Sequence, residues 1–349
     1  MKTAIWTITE SGFKHGLNLA KNIDDSILFL SEDLIKKLRG LRKINNQFSK
    51  NPMVFPKLSK KVKEVFKKFD AHIFIFSTGI AVRIIAPLIK NKIEDPAVVV
   101  VDDYGLHAIS LLSGHIGGAN ELTKHVSKIT GAKPVITTAT DVHGKPSIDT
   151  IAVKNNIHIA NPGMIKKINM AILENKPIKI DDPFNLFQGK IPNLIKTKEN
   201  PDIICTDFNI DVPRGTLLLN PKSLIIGIGC NRGTSMQEIE TFLMDILKNN
   251  NLSFNSIWAF ASIDAKKDET GFLELSKKYK IHFIFLDKYD LKSVKNIKNP
   301  SQTVQKHMGV KSVCEAAAIK AGNNADLIVE KQIKNNVTMA IAKKTLCSI

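Results

Sequence analysis

The chain has 349 residues, of which 43% are hydrophobic and 24% charged, so it is long enough for two or three domains and too apolar for wholesale disorder. The formal net charge is +17, with +10 in residues 1–221 and +7 in residues 222–349, so no tail or stripe concentrates it. A lysine-rich solvated surface explains this charge, and the functional alternative is attraction for a polyanion. Aromatic residues make up only 6% and none interleaves a basic segment, which favours a small polycarboxylate over nucleic acid.

Three features predict a soluble protein of the cytoplasm. No apolar run approaches the ~20 residues of a membrane helix, and the first residues lack the apolar core of a signal peptide. The cysteines are far apart, without C-x-x-C or zinc-finger spacing, and are Cys205, Cys230, Cys314 and Cys347. We therefore expect free thiols in a reducing compartment and no structural metal.

Strands and helices alternate along the first two thirds of the chain. The predicted strands are Thr3–Thr7, Ile27–Leu30, His72–Phe76, Ala97–Val101, Pro134–Thr138 and Asp149–Val153. The predicted helices are Ile80–Ile89, Ala119–Thr130 and Pro162–Asn175. Residues 181–201 hold three prolines among polar residues and are predicted to be a long loop.

The same alternation continues, more sharply, from residue 222 onward. The predicted strands there are Ser223–Ile228, Ser256–Ile263, His282–Leu286, and a closing hairpin of Asp326–Glu330 with Val337–Ala342. The pattern predicts an α/β fold with strand–glycine loop–helix units in two or three domains. We divide the chain into an N-terminal α/β domain (1–132), a weaker middle region (133–221) and a separate compact C-terminal α/β domain (222–349).

The first candidate site is a glycine-rich segment around a histidine, before a predicted helix. Its polar and glycine residues are Ser113, Gly114, His115, Gly117, Gly118 and Asn120. Backbone N–H groups in such a loop can converge on an anion, and a histidine can serve as general acid or base. Asp102 and Asp103 follow a predicted strand end just upstream, where α/β sheets bind ligands. A tight surface loop with helix-capping carboxylates is the plainer alternative.

The second candidate site follows the strand His72–Phe76. Gly79 lets the chain turn after Ser77 and Thr78, and the free N–H groups at the next helix start suit a carboxylate or phosphate. Arg83 lies one helical turn further and could bind the same anion. A solvated arginine on a helix surface is the equally simple interpretation.

The third candidate site is a second glycine segment, near the start of the C-terminal domain. Gly227, Gly229 and Gly233 do not fit the G-x-G-x-x-G spacing, and the segment lacks the lysine of a phosphate P-loop. It is predicted to be a strand-to-helix loop that binds an anion through Arg232 and Thr234.

The fourth candidate site follows the strand Ser256–Ile263. Ser262, Lys266 and Glu269 are expected beside the glycine segment, either to bind polar groups of a ligand or to close the loop by ion pairs. Cys230 in that glycine segment is a weaker hypothesis for a nucleophile, because a helix N-terminus lowers a thiol pKa but no histidine is near in sequence.

Several of these segments, in this order, resemble the CbiG family, the cobalt-precorrin-5A hydrolases. The segments that carry the resemblance are Phe76–Arg83, Asp102–Asp103, Leu112–Glu121, Thr137–Asp141 with Asp149, Ile226–Ser235, Ser262–Glu269 and Ser312–Ala318. The C-terminal group is similar to a domain that occurs alone in relatives as CobE. The resemblance covers most of the chain and is loosest in the middle region.

The resemblance implies opening of a δ-lactone on cobalt-precorrin-5A, with release of acetaldehyde, to give cobalt-precorrin-5B in anaerobic cobalamin synthesis. It implies no cofactor, because cobalt arrives inside the polycarboxylate substrate, and it implies possible contact with cobalt-precorrin methyltransferases. On this basis we expect His115 to be the general acid/base, with Asp102 or Asp103 orienting it or the water. The backbone of Gly114, Gly117 and Gly118 would stabilise the oxyanion.

The remaining candidate residues would then bind the side chains of the macrocycle. They are Ser77, Thr78, Gly79, Arg83, Ser113, Asn120, Gly227, Gly229, Arg232, Gly233, Thr234, Ser262, Lys266 and Glu269. Two other functions stay open: a tetrapyrrole carrier without catalytic activity, which would need the same loops, and a nucleic-acid-binding protein, which would show strong and salt-steep DNA binding.

Overall fold

The computed structural model describes residues 1–40, 52–91, 94–295, 297–300, 305 and 310–346. The chain divides into two compact units, Met1–Lys145 and Pro146–Ile349. The described strands form three sheets, one in the first unit and two in the second. Helices and strands alternate in both units, which confirms the mixed α/β fold class.

The first unit is built on a seven-stranded sheet. Its strands are β1 (Thr3–Thr7), β2 (Ser26–Ser31), β3 (Met53–Phe55), β4 (Ala71–Ile75), β5 (Ala97–Val101), β6 (His107–Leu112) and β7 (Lys133–Val135). Its helices are α1 (Glu10–Asn22), α2 (Glu32–Gly40), α3 (Leu58–Val65), α4 (Thr78–Ile85), α5 (Ala119–Thr130) and α6 (Ala139–Val142). The strand order is β3-β2-β1-β4-β5-β6-β7.

Strand direction reverses once in this sheet. Strands β1 to β5 are mutually parallel, β6 is antiparallel to β5, and β7 is parallel to β6. The carboxyl ends of β1 to β5 therefore lie at one edge of the sheet, and those of β6 and β7 lie at the opposite edge. This reversal decides which candidate residues meet.

Both faces of the sheet are buried, which explains the uninterrupted apolar run of β5. Ala97, Val99 and Val101 belong to a core with residues of α1, α2 and α5. Val98 and Val100 belong to a second core with residues of α3 and α4. Successive strand residues point to opposite faces, so a strand covered on both sides is apolar throughout.

The second unit begins with a five-stranded sheet of order β10-β9-β11-β12-β8. Its strands are β8 (Ile157–Ile159), β9 (Ile178–Asp181), β10 (Leu194–Lys196), β11 (Ile203–Cys205) and β12 (Leu217–Pro221). Two helices precede or separate them: α7 (Ile148–Lys154) and α8 (Ile165–Leu173). The predicted strand Asp149–Val153 is wrong, because this segment is α7. Ser147 caps its N-terminus, and Ile148, Ile151 and Ala152 are buried at helical spacing.

The second unit also contains a sheet of order β15-β14-β13-β17-β16. Its strands are β13 (Leu224–Cys230), β14 (Ile257–Ile263), β15 (Phe283–Leu286), β16 (Asp326–Lys334) and β17 (Val337–Lys343). Its described helices are α9 (Met236–Asn249), α10 (Thr270–Tyr279), α11 (Lys288–Lys292) and α12 (Val313–Ala321). Strands β16 and β17 pair antiparallel, which confirms the predicted hairpin. Throughout the described part of the chain, every helix is too short or too polar to cross a membrane.

Candidate active site

The loop between β6 and α5 presents His115. The loop is closed by the N–H groups of Ala119 and Asn120, which donate to the carbonyls of Ser113 and Gly114. A Cβ on Gly117 would overlap the side chain of Ser113, so the close approach within this loop requires a glycine. The glycines therefore fix the position of the histidine.

A carboxylate lies in hydrogen-bond contact with His115. The distance from His115 Nε2 to Asp141 Oδ2 is 2.9 Å, and the Thr140 hydroxyl lies 3.3 Å from the same nitrogen. The side chains of His115 and Asp141 are 12% and 28% exposed, so the pair is partly desolvated and still accessible to a ligand. Asp141 belongs to α6, which follows β7, and the carboxyl ends of the parallel strands β6 and β7 meet at one edge.

Asn120 extends this contact into the interior. Its side-chain carbonyl accepts a hydrogen bond from the Ser110 hydroxyl at 2.6 Å. Its amide nitrogen donates to Thr138 at 3.1 Å and to Asp141 at 3.0 Å. Asn120 is 3% exposed, so it supports Asp141 from the protein interior.

Thr138, Thr140 and Asp141 had no predicted role. The sequence singled them out only as part of Thr137–Asp141, one of the segments that resemble the family. The missing signal was the parallel pairing of β6 with β7 across α5, which joins residues 26 positions apart. Among the residues that the structure describes, no group of three or more His, Cys, Asp or Glu side chains is placed to hold a metal ion.

The prediction that Asp102 or Asp103 orients His115 is corrected, because the two aspartates and the histidine lie at opposite edges of the sheet. Asp102 follows the end of β5, whereas Ser113 donates its hydroxyl to the carbonyl of Asp95, which precedes β5. A strand of five residues separates these points by about 16 Å. The carboxylate that contacts His115 is Asp141.

The two aspartates instead stabilise the turn between β5 and β6. Asp102 accepts backbone hydrogen bonds from Tyr104, Leu106 and His107 at 3.0, 3.2 and 2.5 Å. Burial opposes the charge of Asp102, but these hydrogen bonds outweigh it and keep the pKa of the carboxyl below its ordinary value. Asp103 accepts from the hydroxyl of Thr9, the N-cap residue of α1.

The segment around Gly79 lies at the same edge as Asp102, at the carboxyl end of β4. Ser77 is the N-cap residue of α4, and Thr78 is the first residue of that helix. Arg83 donates to the carbonyl of Gly79 at 3.1 Å and is exposed. Anion binding by this segment stays a prediction, and it would occur at the edge opposite to His115.

The predicted glycine loop of the C-terminal region is shorter than expected, because Gly227 and Gly229 lie inside β13. A Cβ on Gly227 would overlap the carbonyl oxygen of Cys314 in α12, and one on Gly229 would lie 2.6 Å from the Thr338 hydroxyl. The Ser262 hydroxyl is fully buried and donates to the carbonyl of Ile228 at 2.7 Å. The structure thus gives Gly227, Gly229 and Ser262 packing roles, and their contact with a ligand stays a prediction.

Ion pairs and hydrogen bonds join the loop after β13 to the loop after β14. Glu269 accepts from the N–H of Gly233 at 2.6 Å and from the Lys266 ammonium at 3.2 Å. Arg232 pairs with Asp268 at 2.7 Å and remains 60% exposed. Loop closure by ion pairs, the plainer of the two interpretations, accounts for Lys266 and Glu269, and Arg232 still presents part of its guanidinium to solvent.

The Cys230 thiol lacks the activation that the sequence hypothesis required. Burial raises its pKa above the ordinary value of a cysteine, although the Lys266 ammonium acts in the opposite direction. Thr234 caps the same loop by donating to the carbonyl of Asn231 at 2.8 Å. The described cysteines, Cys205, Cys230 and Cys314, are free, and Cys347 lies outside the described residues.

Comparisons with known proteins point to one protein family. Residues 60–141 match the family model for the N-terminal region of cobalamin synthesis protein G, and residues 224–342 match the model for its C-terminus. Cobalt-precorrin-5A hydrolase of Priestia megaterium is 33% identical over 94% of this chain and 92% of its own. The same-named protein of Salmonella typhimurium is 35% identical over 73% of this chain and 77% of its own.

A solved structure is also similar to part of the chain. The crystal structure of CobE, a protein from the cobalamin biosynthetic pathway, is 32% identical over 35% of this chain and 91% of its own, at a TM-score of 0.34. Together the family models and the relatives define an α/β protein of cobalamin synthesis. In particular, the chain belongs to the cobalamin synthesis protein G (CbiG) family, which confirms the resemblance found in the sequence.

Proposed function

We propose that this protein is a cobalt-precorrin-5A hydrolase of anaerobic cobalamin biosynthesis. It would open the δ-lactone of its substrate and cleave a carbon–carbon bond, releasing acetaldehyde and cobalt-precorrin-5B. The observation that carries the proposal is the similarity to the Priestia megaterium hydrolase along nearly the whole of both chains. Cobalt enters as part of the substrate, so the proposal requires no resident metal or cofactor.

The chemistry requires a group that both accepts and donates protons. A base takes a proton from the attacking water as the acyl carbon–oxygen bond of the lactone breaks, and an acid returns a proton to the departing alkoxide. A base then removes the alcohol proton as the carbon–carbon bond breaks, and the electron pair of that bond passes to the macrocycle. Histidine suits this alternation, and His115 is accessible in a polar loop beside Asp141.

Other groups of the loop would stabilise the negative charge that develops on the lactone oxygen. Gly114 and Gly117 are the candidate backbone donors. Gly118 is a poorer candidate than the sequence suggested, because its N–H already donates to the carbonyl of His115 at 3.1 Å. The excess of lysine, and exposed cations such as Arg232, would attract the carboxylates of the macrocycle. Cobalt-precorrin methyltransferases, which supply or consume such intermediates, are the protein partners that we propose.

The decisive experiment is an anaerobic assay of acetaldehyde release from purified protein and cobalt-precorrin-5A. We expect turnover by the wild-type protein. His115→Ala should lower kcat by roughly 10²–10⁴-fold and leave substrate binding largely intact, because a positioned proton-transfer group is lost. His115→Gln should behave like His115→Ala, since glutamine forms hydrogen bonds but does not titrate in this range.

His125→Ala is the matched control. His125 is an exposed histidine on α5, and its replacement should leave turnover unchanged. A wild-type protein that binds the substrate tightly but releases no acetaldehyde would contradict the enzymatic proposal and support a carrier. Normal turnover by a folded His115→Ala protein would contradict the role of His115 alone.

A further inference from the structure

We propose that Asp141 is a positioning residue that fixes the orientation and the tautomer of His115, and that Asn120 holds Asp141 in place. Where it concerns rate, this inference rests on the proposed function, whereas the tautomer is a property of the free protein. No motif in the sequence pairs these three side chains. The parallel pairing of β6 and β7 brings them together.

The contact between His115 and Asp141 determines which ring nitrogen carries the proton. A carboxylate oxygen only accepts hydrogen bonds, and Asp141 Oδ2 lies 2.9 Å from Nε2. The Nε2 atom must therefore bear the hydrogen, since two acceptors at that distance would repel. The Thr140 hydroxyl, 3.3 Å from Nε2, can accept from the same N–H. In the neutral ring, Nδ1 is then the basic nitrogen.

The orientation of Asn120 follows from the same reasoning. If its amide were turned over, the carbonyl oxygen would face Asp141 Oδ2 at about the present 3.0 Å, and two acceptors would again oppose each other. In the observed orientation the amide nitrogen donates to Asp141 and to Thr138, and the carbonyl oxygen accepts from Ser110. Each polar atom of the buried side chain has a partner, so Asp141 is held at a defined place.

A glycine beside Asn120 makes this arrangement possible. A Cβ on Gly114 would lie 2.7 Å from the side-chain oxygen of Asn120 and would displace it. One glycine of the motif therefore serves the support of the histidine as well as the turn of the loop. The carboxylate of Asp141 would also stabilise the imidazolium of His115 when it takes a proton during the reaction.

The first test is the tautomer of His115 in the substrate-free protein, measured by long-range ¹H–¹⁵N correlation NMR at a pH where the ring is neutral. The spectrum of His115→Gln identifies the signal of His115. We expect the Nε2–H tautomer in the wild-type protein and in Asp141→Asn, whose side-chain oxygen can still accept. Asp141→Ala should give a mixture of both tautomers. A wild-type Nδ1–H tautomer, or an unchanged tautomer in Asp141→Ala, would overturn the proposal.

The second test is the division of the defect between kcat and KM for cobalt-precorrin-5A. Asp141→Ala should lower kcat by roughly 10²–10⁴-fold with little change in KM, as when the orienting carboxylate of a catalytic histidine is lost. Asp141→Asn should also lower kcat, because it keeps the hydrogen bond but removes the charge. Asn120→Ala should lower kcat less than Asp141→Ala.

Glu121→Gln is the matched control, because it removes an exposed carboxylate of α5 that pairs with Lys124 and does not contact the histidine. It should leave both the tautomer and kcat unchanged. A normal kcat in a folded Asp141→Ala protein would overturn the positioning role in catalysis. If the wild-type protein releases no acetaldehyde, the proposed function fails, and the NMR result alone decides whether Asp141 positions His115.

Discussion

A second histidine shows how strongly the surroundings of a single residue decide its chemistry. His72, in β4, is fully buried, and its Nδ1 accepts from the Trp6 indole N–H at 3.1 Å. Its Nε2 donates to the carbonyl of Phe66 at 2.9 Å. Burial lowers the pKa of His72 to about 4, although the hydrogen bond to Phe66 acts in the opposite direction. His72 is thus a neutral core residue, whereas His115 is accessible and paired with a carboxylate.

The burial of His72 should make the stability of the protein depend on pH. An unfolded histidine titrates near pH 6.5 and folded His72 near pH 4, so the unfolded state binds the proton first as the pH falls. The contribution of His72 to the free energy of unfolding is therefore fully present above pH 6.5 and is lost progressively between pH 6.5 and 4. This loss should amount to about 3 kcal/mol.

Urea unfolding of wild type and His72→Gln at several pH values measures this contribution. Glutamine can still accept from Trp6, so the variant should fold, and its stability should fall less steeply over that range. His158, whose pKa is also lowered by burial and by Lys222, adds to both proteins equally. Parallel stability curves for the two proteins would contradict the assignment to His72.

Among the secondary-structure elements, β6 has the largest consequence for the site. Because it runs back along β5, the loops after β5 and after β6 lie at opposite edges of one sheet. The turn that reverses the chain is held by Asp102 and by Gly105, which has a φ of 69° and packs against His15. Residues of the two loops are therefore separated by the length of a strand, about 16 Å.

The close packing of α12 on β13 depends on Gly227, which lies against the backbone of Cys314. Gly227→Ala should lower the free energy of unfolding by about 1–3 kcal/mol, because the new methyl group overlaps the carbonyl oxygen of Cys314 and forces helix and strand apart. Gly163→Ala is the matched control, with no atom within 4 Å of its added Cβ, and should change stability by less than about 0.5 kcal/mol. Equal urea midpoints for the two variants would contradict this packing role.

At the scale of the whole molecule, the dominant property is the excess of lysine. The net charge of +17 is distributed over both halves of the sequence, and several lysines pair with carboxylates one helical turn away, such as Lys61 with Glu64 and Lys124 with Glu121. Such exposed pairs contribute little to stability. The net excess of positive charge creates a positive field, which attracts polycarboxylates from solution.

Because of this field, binding of the substrate should weaken as the salt concentration rises. KM for cobalt-precorrin-5A should rise roughly 3–10-fold between 0.05 and 0.5 M salt, because ions screen long-range attraction. The value of kcat should stay constant, since the contacts around His115 are short and partly buried. A KM independent of salt would contradict attraction of the substrate by the field. Duplex DNA should bind weakly in the same range.

The sequence by itself determined much of the local structure of this protein. The run Ala97–Val101 is a strand because five consecutive β-branched or small apolar residues suit a sheet that is buried on both faces. The helix Ala119–Thr130 lies between Gly118 and Gly131, both of which adopt the left-handed conformation that glycine favours at helix ends. The loop that presents His115 could also be predicted from the sequence, since the glycines that shape it are adjacent in the chain.

Only the tertiary structure decided which side chains meet. The direction of β6 follows from its five-residue connection to β5, which is too short for a parallel crossover, but the predicted strands did not include His107–Leu112. This strand direction places Asp102 far from His115 and places Asp141, 26 residues further along the chain, in contact with it. In the same way, Gly229 lies beyond the predicted strand Ser223–Ile228, and its place inside β13 beside Thr338 of β17 follows from pairing between strands far apart in the chain. Local preferences act over a few residues, whereas an active site is assembled by contacts between distant ones.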